Sequence, residues 1–256
     1  MSDHKARVQA QFGATAQSYV QSTTHASGDD LTRMVALSGV TATSRVLDVA
    51  TGGGHTALAF APHAGHVVAS DLTEAMLQAA QAFILGKGHQ NVSFVPADAE
   101  ALPFADGEFD ILTCRIAPHH FADIRQAVRE FARVLRPGGR FVLVDSLVPA
   151  DPELDAFING AEVLRDPTHV RSYTEAEWRT FVAEAGMTVR QTEVHLKKHN
   201  FPDWVARAQM PVEAAAELTE RYLNASPAVR AQFQIQIEEG QVRSYVDQKL
   251  LLIATK

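Results

Sequence analysis

Residues 45–57, RVLDVATGGGHTA, are the stretch that decides the fold. Residues 45–49 form a short, mostly apolar run that is typical of a buried strand and carries one acid, Asp48. The glycines at 52–54 permit a tight turn, and residues 55–60 have the composition of a helix. A glycine turn that opens a helix leaves backbone N–H groups facing a ligand. The stretch therefore predicts a nucleotide-like cofactor on a Rossmann-type α/β sheet.

Strands and amphipathic helices alternate after this turn. Further strands are predicted at 66–70, 92–95, 109–114, 140–144, 188–195 and 250–254. Strict alternation predicts a parallel sheet with helices on both faces. About fifty residues are inserted before the last strand. They contain three helical segments, and a strand-like stretch at 233–237 that could turn at 239–240 and return over 241–245.

We expect a single domain over residues 1–256. Its parts are N-terminal helices that could form a lid (1–44), a cofactor-binding core (45–195), an insertion (196–247) and the last strand (248–256). The insertion has enough aromatic residues to line an apolar substrate pocket as a lid, and it could equally form the surface of a homodimer.

Composition narrows the class of protein. The net charge of −7 argues against a nucleic-acid partner, because phosphate binding needs clustered Lys and Arg. The single cysteine, Cys114, excludes an intramolecular disulfide and fits a reducing cytoplasm. No apolar run approaches the ~18 residues of a membrane span, and the N-terminus lacks the apolar segment of a signal peptide. We therefore expect a cytoplasmic protein without a membrane span.

The positions of three acids discriminate between cofactors. Asp71 ends the second strand, where a carboxylate can accept from both hydroxyls of a ribose. Asp98 follows the third strand and could accept from an adenine amine. Asp48 precedes the glycine turn, where it would repel a pyrophosphate but suit a cationic amino-acid tail. The loose match of residues 52–57 to GxGxxG/A keeps an NAD-dependent oxidoreductase as a weaker alternative.

The chain at this point resembles the class I SAM-dependent methyltransferases. The motifs are VLDVATGGG, ASD at 69–71, PADAEALPFADGEFDIL at 96–112 and RVLRPGGRFVLVD at 133–145. The most similar branch is the type 11 group of small-molecule methyltransferases, which resemble the enzymes of ubiquinone and menaquinone biosynthesis. The resemblance covers roughly residues 45–195. It implies a seven-stranded sheet of order 3-2-1-4-5-7-6 with strand 7 antiparallel, and S-adenosylmethionine (SAM) as the cofactor.

The resemblance also implies roles for individual residues. Asp71 would take the ribose hydroxyls, and Asp98 the adenine amine. The full set of implied cofactor-binding residues is Asp48, Ala50, Gly52, Gly54, Asp71, Leu72, Asp98, Ala99 and Arg115, with Ile116 beside Arg115 near the sulfonium. Ala50 departs from the family pattern, since many relatives have glycine there. Asp48 could also be structural, bonding to the glycine turn.

The residues after the fourth strand face the reactive methyl group in this fold. Here they are Arg115 to Phe121, and they contain neither the Asn/Asp-Pro-Pro-aromatic motif of amino-directed nucleic-acid methyltransferases nor a Pro-Cys nucleophile. His119 and His120 are the candidate catalytic residues, because imidazole can remove a proton from a phenol or an activated carbon. Each could instead cap or pack against the following helix. No metal site is expected.

Candidate substrate residues are Tyr19, His25, Arg171 and Tyr173. The favoured function is SAM-dependent O- or C-methylation of a phenolic or quinone-like small molecule. An alternative is a regulatory or assembly subunit that binds SAM without methyl transfer, since conserved binding chemistry does not prove turnover.

Overall fold

The computed structural model describes residues 3–21 and 29–256. The strands are β1 (Arg45–Val49), β2 (His66–Asp71), β3 (Val92–Pro96), β4 (Phe109–Arg115), β5 (Leu135–Leu147), β6 (Thr188–Asn200), β7 (Gln236–Glu238) and β8 (Gln241–Thr255). The helices are α1 (Asp3–Gln21), α2 (Asp29–Ser38), α3 (His55–Phe60), α4 (Glu74–Gly86), α5 (Ile124–Val134), α6 (Pro152–Arg165), α7 (Glu175–Glu184), α8 (Phe201–Arg207), α9 (Val212–Leu223) and α10 (Pro227–Gln232). No helix within the described residues is long and apolar enough to cross a membrane.

The strands form one sheet of order β3-β2-β1-β4-β5-β8-β6. Strands β1 to β5 pair in parallel, whereas β8 runs antiparallel to both β5 and β6. The predicted order is confirmed, with β8 in the place of the predicted seventh strand. The short β7 is an additional strand, which pairs only with β8.

Three predicted strands are longer in the structure. Strand β5 begins at Leu135 rather than near residue 140, β6 continues to Asn200, and β8 begins at Gln241 rather than near residue 250. Strands β6 and β8 remain paired along their extensions, from Asn200 with Ser244 to Leu196 with Gln248. The segment 196–247 therefore contains the ends of two long strands as well as three helices.

Helices cover both faces of the sheet. On one face, α5 and α7 bury Phe131, Trp178 and Val182 against the strands. On the other, Met34 of α2 and Phe60 of α3 pack on the sheet. Burial of such side chains stabilises the fold by about 1.5–3 kcal/mol each.

The inserted helices build a separate apolar cluster with α6. Its centre contains Phe157 from α6, Trp204 from α8, Tyr222 from α9 and Tyr245 from β8. Tyr222 and Tyr245 are fully buried, with ring centroids 5.2 Å apart. This cluster fixes α8 beside β6 and β8, at one end of the cavity described next.

Candidate active site

A cavity of about 750 Å³ opens at the carboxyl ends of the parallel strands. Its volume lies in the range of small-molecule sites, and this edge of an open α/β sheet is where such folds bind ligands. Residues from the glycine turn and the ends of β2 and β3 line one end. Residues from α6, α8, β6 and β8 line the other end. Helix α1 and Pro118–His120 lie between the two.

At the first end, Asp71 fixes the glycine turn. The Gly52 N–H donates to Asp71 Oδ2 at 2.9 Å, and the Thr73 N–H donates to Oδ1 at 2.9 Å. Burial raises the pKa of Asp71, while these two backbone donors oppose the rise. Each carboxylate oxygen can accept a second hydrogen bond. Because Asp71 lines the cavity, it can accept from a diol there.

The backbone of the turn is left-handed at several positions. Gly52 has φ 53° and Gly54 has φ 84°, while Ala50 adopts φ 54° without being glycine. Ala50 and Gly52 line the cavity, and a Cβ on Gly52 would meet no atom within 4 Å. Gly54 does not line it; a Cβ there would lie 3.0 Å from Ala80 and from Ile84. Gly54 thus permits close packing of the turn on α4.

Asp48 is buried behind the turn. Its oxygens accept from Thr51 Oγ1 at 2.6 Å and from Thr113 Oγ1 at 2.7 Å. Burial raises its pKa to about 6, against the opposing effect of the two hydroxyls. Asp48 is 1% exposed and is not among the described residues that line the cavity. The two hydrogen bonds attach Asp48 to the turn through Thr51 and to β4 through Thr113.

Asp98 lines the cavity together with Leu72 and Ala99. Its Oδ1 accepts from the Glu100 N–H at 3.0 Å, and its Oδ2 pairs with Lys5 Nζ of α1 at 2.6 Å. Lys5 also pairs with Glu100 Oε2 at 2.6 Å. Helix α1 therefore covers this end through a charge contact that the sequence did not reveal.

Arg115 was expected on the cavity floor, but its side chain is used elsewhere. Its Nε donates to Asp30 Oδ2 on α2 at 2.6 Å, the side chain is 5% exposed, and it does not line the described cavity. The neighbouring Ile116, with φ 52°, does line it. The side chain of Arg115 therefore forms an ion pair with Asp30 instead of lining the cavity, whereas Ile116 lines the cavity.

His119 forms a dyad with a buried acid in the middle of the cavity. Its Nδ1 lies 2.6 Å from Asp145 Oδ1, and its backbone N–H donates to Oδ2 at 3.1 Å. Asp145 ends the buried part of β5 and is 0% exposed. A carboxylate only accepts, so Nδ1 carries the hydrogen and Nε2 is the ring nitrogen that can accept a proton. No described residue hydrogen-bonds to Nε2.

Two further histidines surround His119. His120 packs 4.2 Å from it, between ring centroids, and bonds through Nδ1 to the Thr168 carbonyl at 3.0 Å. Burial lowers the pKa of His120 to about 3, and burial lowers that of His169 to about 4, with the charge of His119 adding to both shifts. Both rings are therefore neutral near pH 7. The Nδ1 of His120 has a hydrogen-bond partner, whereas the Nε2 of His119 has none among the described residues and can accept a proton.

Two of the four predicted substrate residues, Arg171 and Tyr173, do not line the cavity. Arg171 pairs with Asp155 of α6 at 2.6 Å and with Glu177 of α7 at 3.4 Å. Tyr173 packs against the aromatic rings of α7 and is 7% exposed. Both line a separate, shallow depression. Tyr19 lies on α1, but its side chain, like all of His25, falls outside the described residues.

Several cavity residues were missed from the sequence. Asp145 carried a signal, an acid at the end of a buried strand, but its partner lies 26 positions away. The others come from elements whose docking no local pattern reveals: His4, Lys5, Phe12, Glu162, Arg165, Asp166, Lys197, His199, Asp247 and Lys249.

Comparison with known proteins identifies the family. A methyltransferase domain model matches residues 47–143. The Bacillus subtilis (strain 168) protein YcgJ, described as an uncharacterized methyltransferase, is 38% identical over 246 residues, covering 96% of this chain and 97% of YcgJ. The chain belongs to the class I SAM-dependent methyltransferases.

Structures and other relatives agree with this assignment. The crystal structure of BH2331 from Bacillus halodurans C-125 superposes with a TM-score of 0.87 at 40% identity, covering 90% of this chain and 99% of that one. UbiE of Ectopseudomonas mendocina, a ubiquinone/menaquinone biosynthesis C-methyltransferase, is 40% identical over 124 residues, about half of each chain. This methyltransferase therefore uses SAM, and the acids and bare backbone at the first end of the cavity fit that cofactor.

Proposed function

We propose that this methyltransferase methylates an oxygen or an activated carbon of a small molecule, of phenolic or quinone-like type. The observation that carries the proposal is the His119–Asp145 dyad, whose histidine lines the same cavity as Asp71 and Asp98. A cavity of about 750 Å³ is large enough to take a small acceptor next to a nucleoside. The C-methyltransferase description of the UbiE relatives supports the same class.

At the cofactor end, we propose that Asp71 binds the ribose diol and that Asp98 binds the adenine amine. Leu72 and Ala99 border the base, and Ala50 and Gly52 offer backbone to the amino-acid end. Asp48 acts indirectly, by holding Thr51 and hence the turn. The acids Asp71, Asp98 and Glu100 outnumber Lys5, the cation that pairs with two of them, and this excess of negative charge suits a cationic ligand.

SAM, when bound, supplies an electrophilic methyl group on a positively charged sulfur. His119 Nε2 is the atom to take the proton that an O–H or activated C–H acceptor loses. Asp145 is a positioning residue: it holds the ring orientation and stabilises the imidazolium that forms. Helix α1 and the inserted helices exclude water from the cavity. The homodimer, the absence of a nucleic-acid partner and the cytoplasmic location stay predictions.

The test separates cofactor binding from proton transfer. Asp71→Ala should weaken binding of S-adenosylhomocysteine by calorimetry about tenfold or more, because it removes two charged acceptors. His119→Gln should leave that affinity unchanged and lower kcat for methylation of a panel of phenols and quinols about 10²-fold or more. Product is detected by mass spectrometry as addition of one methyl group.

Exposed His63 supplies the matched control, since His63→Gln should change neither quantity. Asp145→Asn should lower kcat with little change in KM, which distinguishes positioning from substrate binding. Full turnover of phenols and quinols by His119→Gln would rule out the dyad as the base. Methylation of no acceptor in the panel by the wild type would remove the proposed substrate class.

A further inference from the structure

The end of the cavity beyond His119 is strongly polar. Its walls come from β5, β6, β8, α6 and α8, so it lies within the long extensions of β6 and β8. The charged and polar groups there include Ser146, Glu162, Arg165, Lys197, His199, Asp247 and Lys249, together with the exposed Arg207. A cavity made only for an apolar quinone would not need so many charges, because each one costs free energy to desolvate.

Most of these charges are paired with one another. Lys249 Nζ donates to Ser146 Oγ at 2.8 Å and to Asp247 Oδ2 at 2.9 Å. His199 Nε2 lies 3.0 Å from the same Asp247 oxygen. On the opposite wall, Arg165 pairs with Glu162 at 3.0 Å and lies over the ring of Trp204. The positive and negative charges of these paired groups cancel.

Lys197 is the half-buried exception. It lines the cavity, yet among the described residues no hydrogen bond or ion pair engages its ammonium. The exposed Arg207, which also lines the cavity, has no such described partner either. Charges of both signs act on Lys197: Lys249 and Arg115 lower its pKa, whereas Asp247 and Asp30 raise it. Burial, followed by the charge of Lys249, lowers its pKa to about 8, so it remains mostly protonated near pH 7. A half-buried cation without a partner favours an anion in the cavity.

We infer that the methyl acceptor carries a carboxylate, which Lys197 binds at this end of the cavity. The inference rests on the proposed function, because it places the acceptor in the cavity of the His119–Asp145 dyad. The one half-buried ammonium without a partner matches the single charge of a carboxylate. A phosphate dianion would bring a second negative charge toward Glu162 and Asp247, with only the exposed Arg207 to offset it. Lys197 is thus a specificity-determining residue for the acceptor.

The experiment compares acids with their own amides. Hydroxybenzoates and hydroxycinnamates, each paired with the corresponding amide, are titrated by calorimetry into protein saturated with S-adenosylhomocysteine. At least one acid should bind about tenfold or more tightly than its amide. This preference should fall to near unity in Lys197→Gln and should be largely retained in Lys197→Arg.

Lys198 is the matched control, because it is the next residue of β6 and is exposed. Lys198→Gln should keep the full preference for the acid. Equal binding within every pair, or a preference that survives Lys197→Gln, overturns the inference, as does the absence of any acid that binds. Loss of S-adenosylhomocysteine binding in the wild type would instead overturn the cofactor site, so the two failures are distinct.

Discussion

Ala50 carries backbone strain at the cofactor end of the site. Its φ of 54° is in the left-handed region, where a Cβ costs about 1–2 kcal/mol relative to the right-handed form. Replacing an alanine by glycine normally destabilises, because glycine gains freedom in the unfolded chain. At Ala50 the relief of strain should offset that loss.

We therefore expect Ala50→Gly to leave the free energy of unfolding unchanged or to raise it by up to about 1 kcal/mol. Denaturant titration measures this change. Ala82, exposed on α4, provides the comparison, since Ala82→Gly should lower the free energy of unfolding by about 0.5–1 kcal/mol. Similar losses at both positions would show that the turn relaxes around Ala50 without strain.

The sequence predicted the positions of those single residues that depend on adjacent residues in the chain. Asp71 lies at the cavity because it ends a buried strand, and the geometry of parallel strands brings such ends to one edge. Asp145 obeys the same rule, but choosing His119 as its partner required the fold. The backbone of Arg115 also lies at this edge of the sheet, but its long side chain turns to the carboxylate of Asp30.

At the scale of elements, α1 is the clearest case of a helix predicted without its position. The apolar spacing indicated a helix over residues 4–21, and the structure has α1 there. Its apolar side packs on α4 through Phe12 and Ala16. Polar contacts add to this docking: Lys5 with Asp98 and Glu100, Gln9 with the Leu72 carbonyl, and Gln11 with Asp166. Such contacts have no periodicity, so the sequence predicted a lid but not which residues hold it closed.

Breaking the Lys5 contact should loosen α1. We expect Lys5→Ala to accelerate amide hydrogen exchange across α1 and to raise the dissociation constant of S-adenosylhomocysteine a few-fold, because two desolvated carboxylates lose their partner. Arg7, exposed on the same helix, is the control, and Arg7→Ala should change neither quantity. Unchanged exchange in Lys5→Ala would mean that apolar packing on α4 alone holds the helix.

The sequence did not predict the full lengths of β6 and β8. The run at 250–254 is fully apolar and buried, so it resembles a complete strand. The extension from Gln241 mixes buried and exposed residues, with Lys249 and Asp247 paired in the cavity. Only its pairing with β6, a contact between distant parts of the chain, reveals one continuous strand.

For the whole molecule, the buried histidines link stability to pH. His169 is 7% exposed, and its Nε2 lies 3.1 Å from Asn159 Oδ1. Burial lowers its pKa to about 4, with the charge of His119 acting in the same direction and Glu162, Asp145 and Asp166 opposing it. The unfolded chain, with a histidine pKa near 6.5, binds a proton that the folded protein does not bind. The contribution of His169 is therefore complete above about pH 6.5 and is lost as the pH falls toward 4.

His169→Gln removes the titrating imidazole and keeps an N–H donor for Asn159. Between about pH 7 and pH 4.5, the free energy of unfolding of the wild type should fall by roughly 2 kcal/mol more than that of His169→Gln. Denaturant titration at a series of pH values measures the difference. His63→Gln, at an exposed site, should follow the wild type. Parallel curves for the wild type and His169→Gln would mean that His169 takes up its proton inside the folded cavity, next to Asp145 and Glu162.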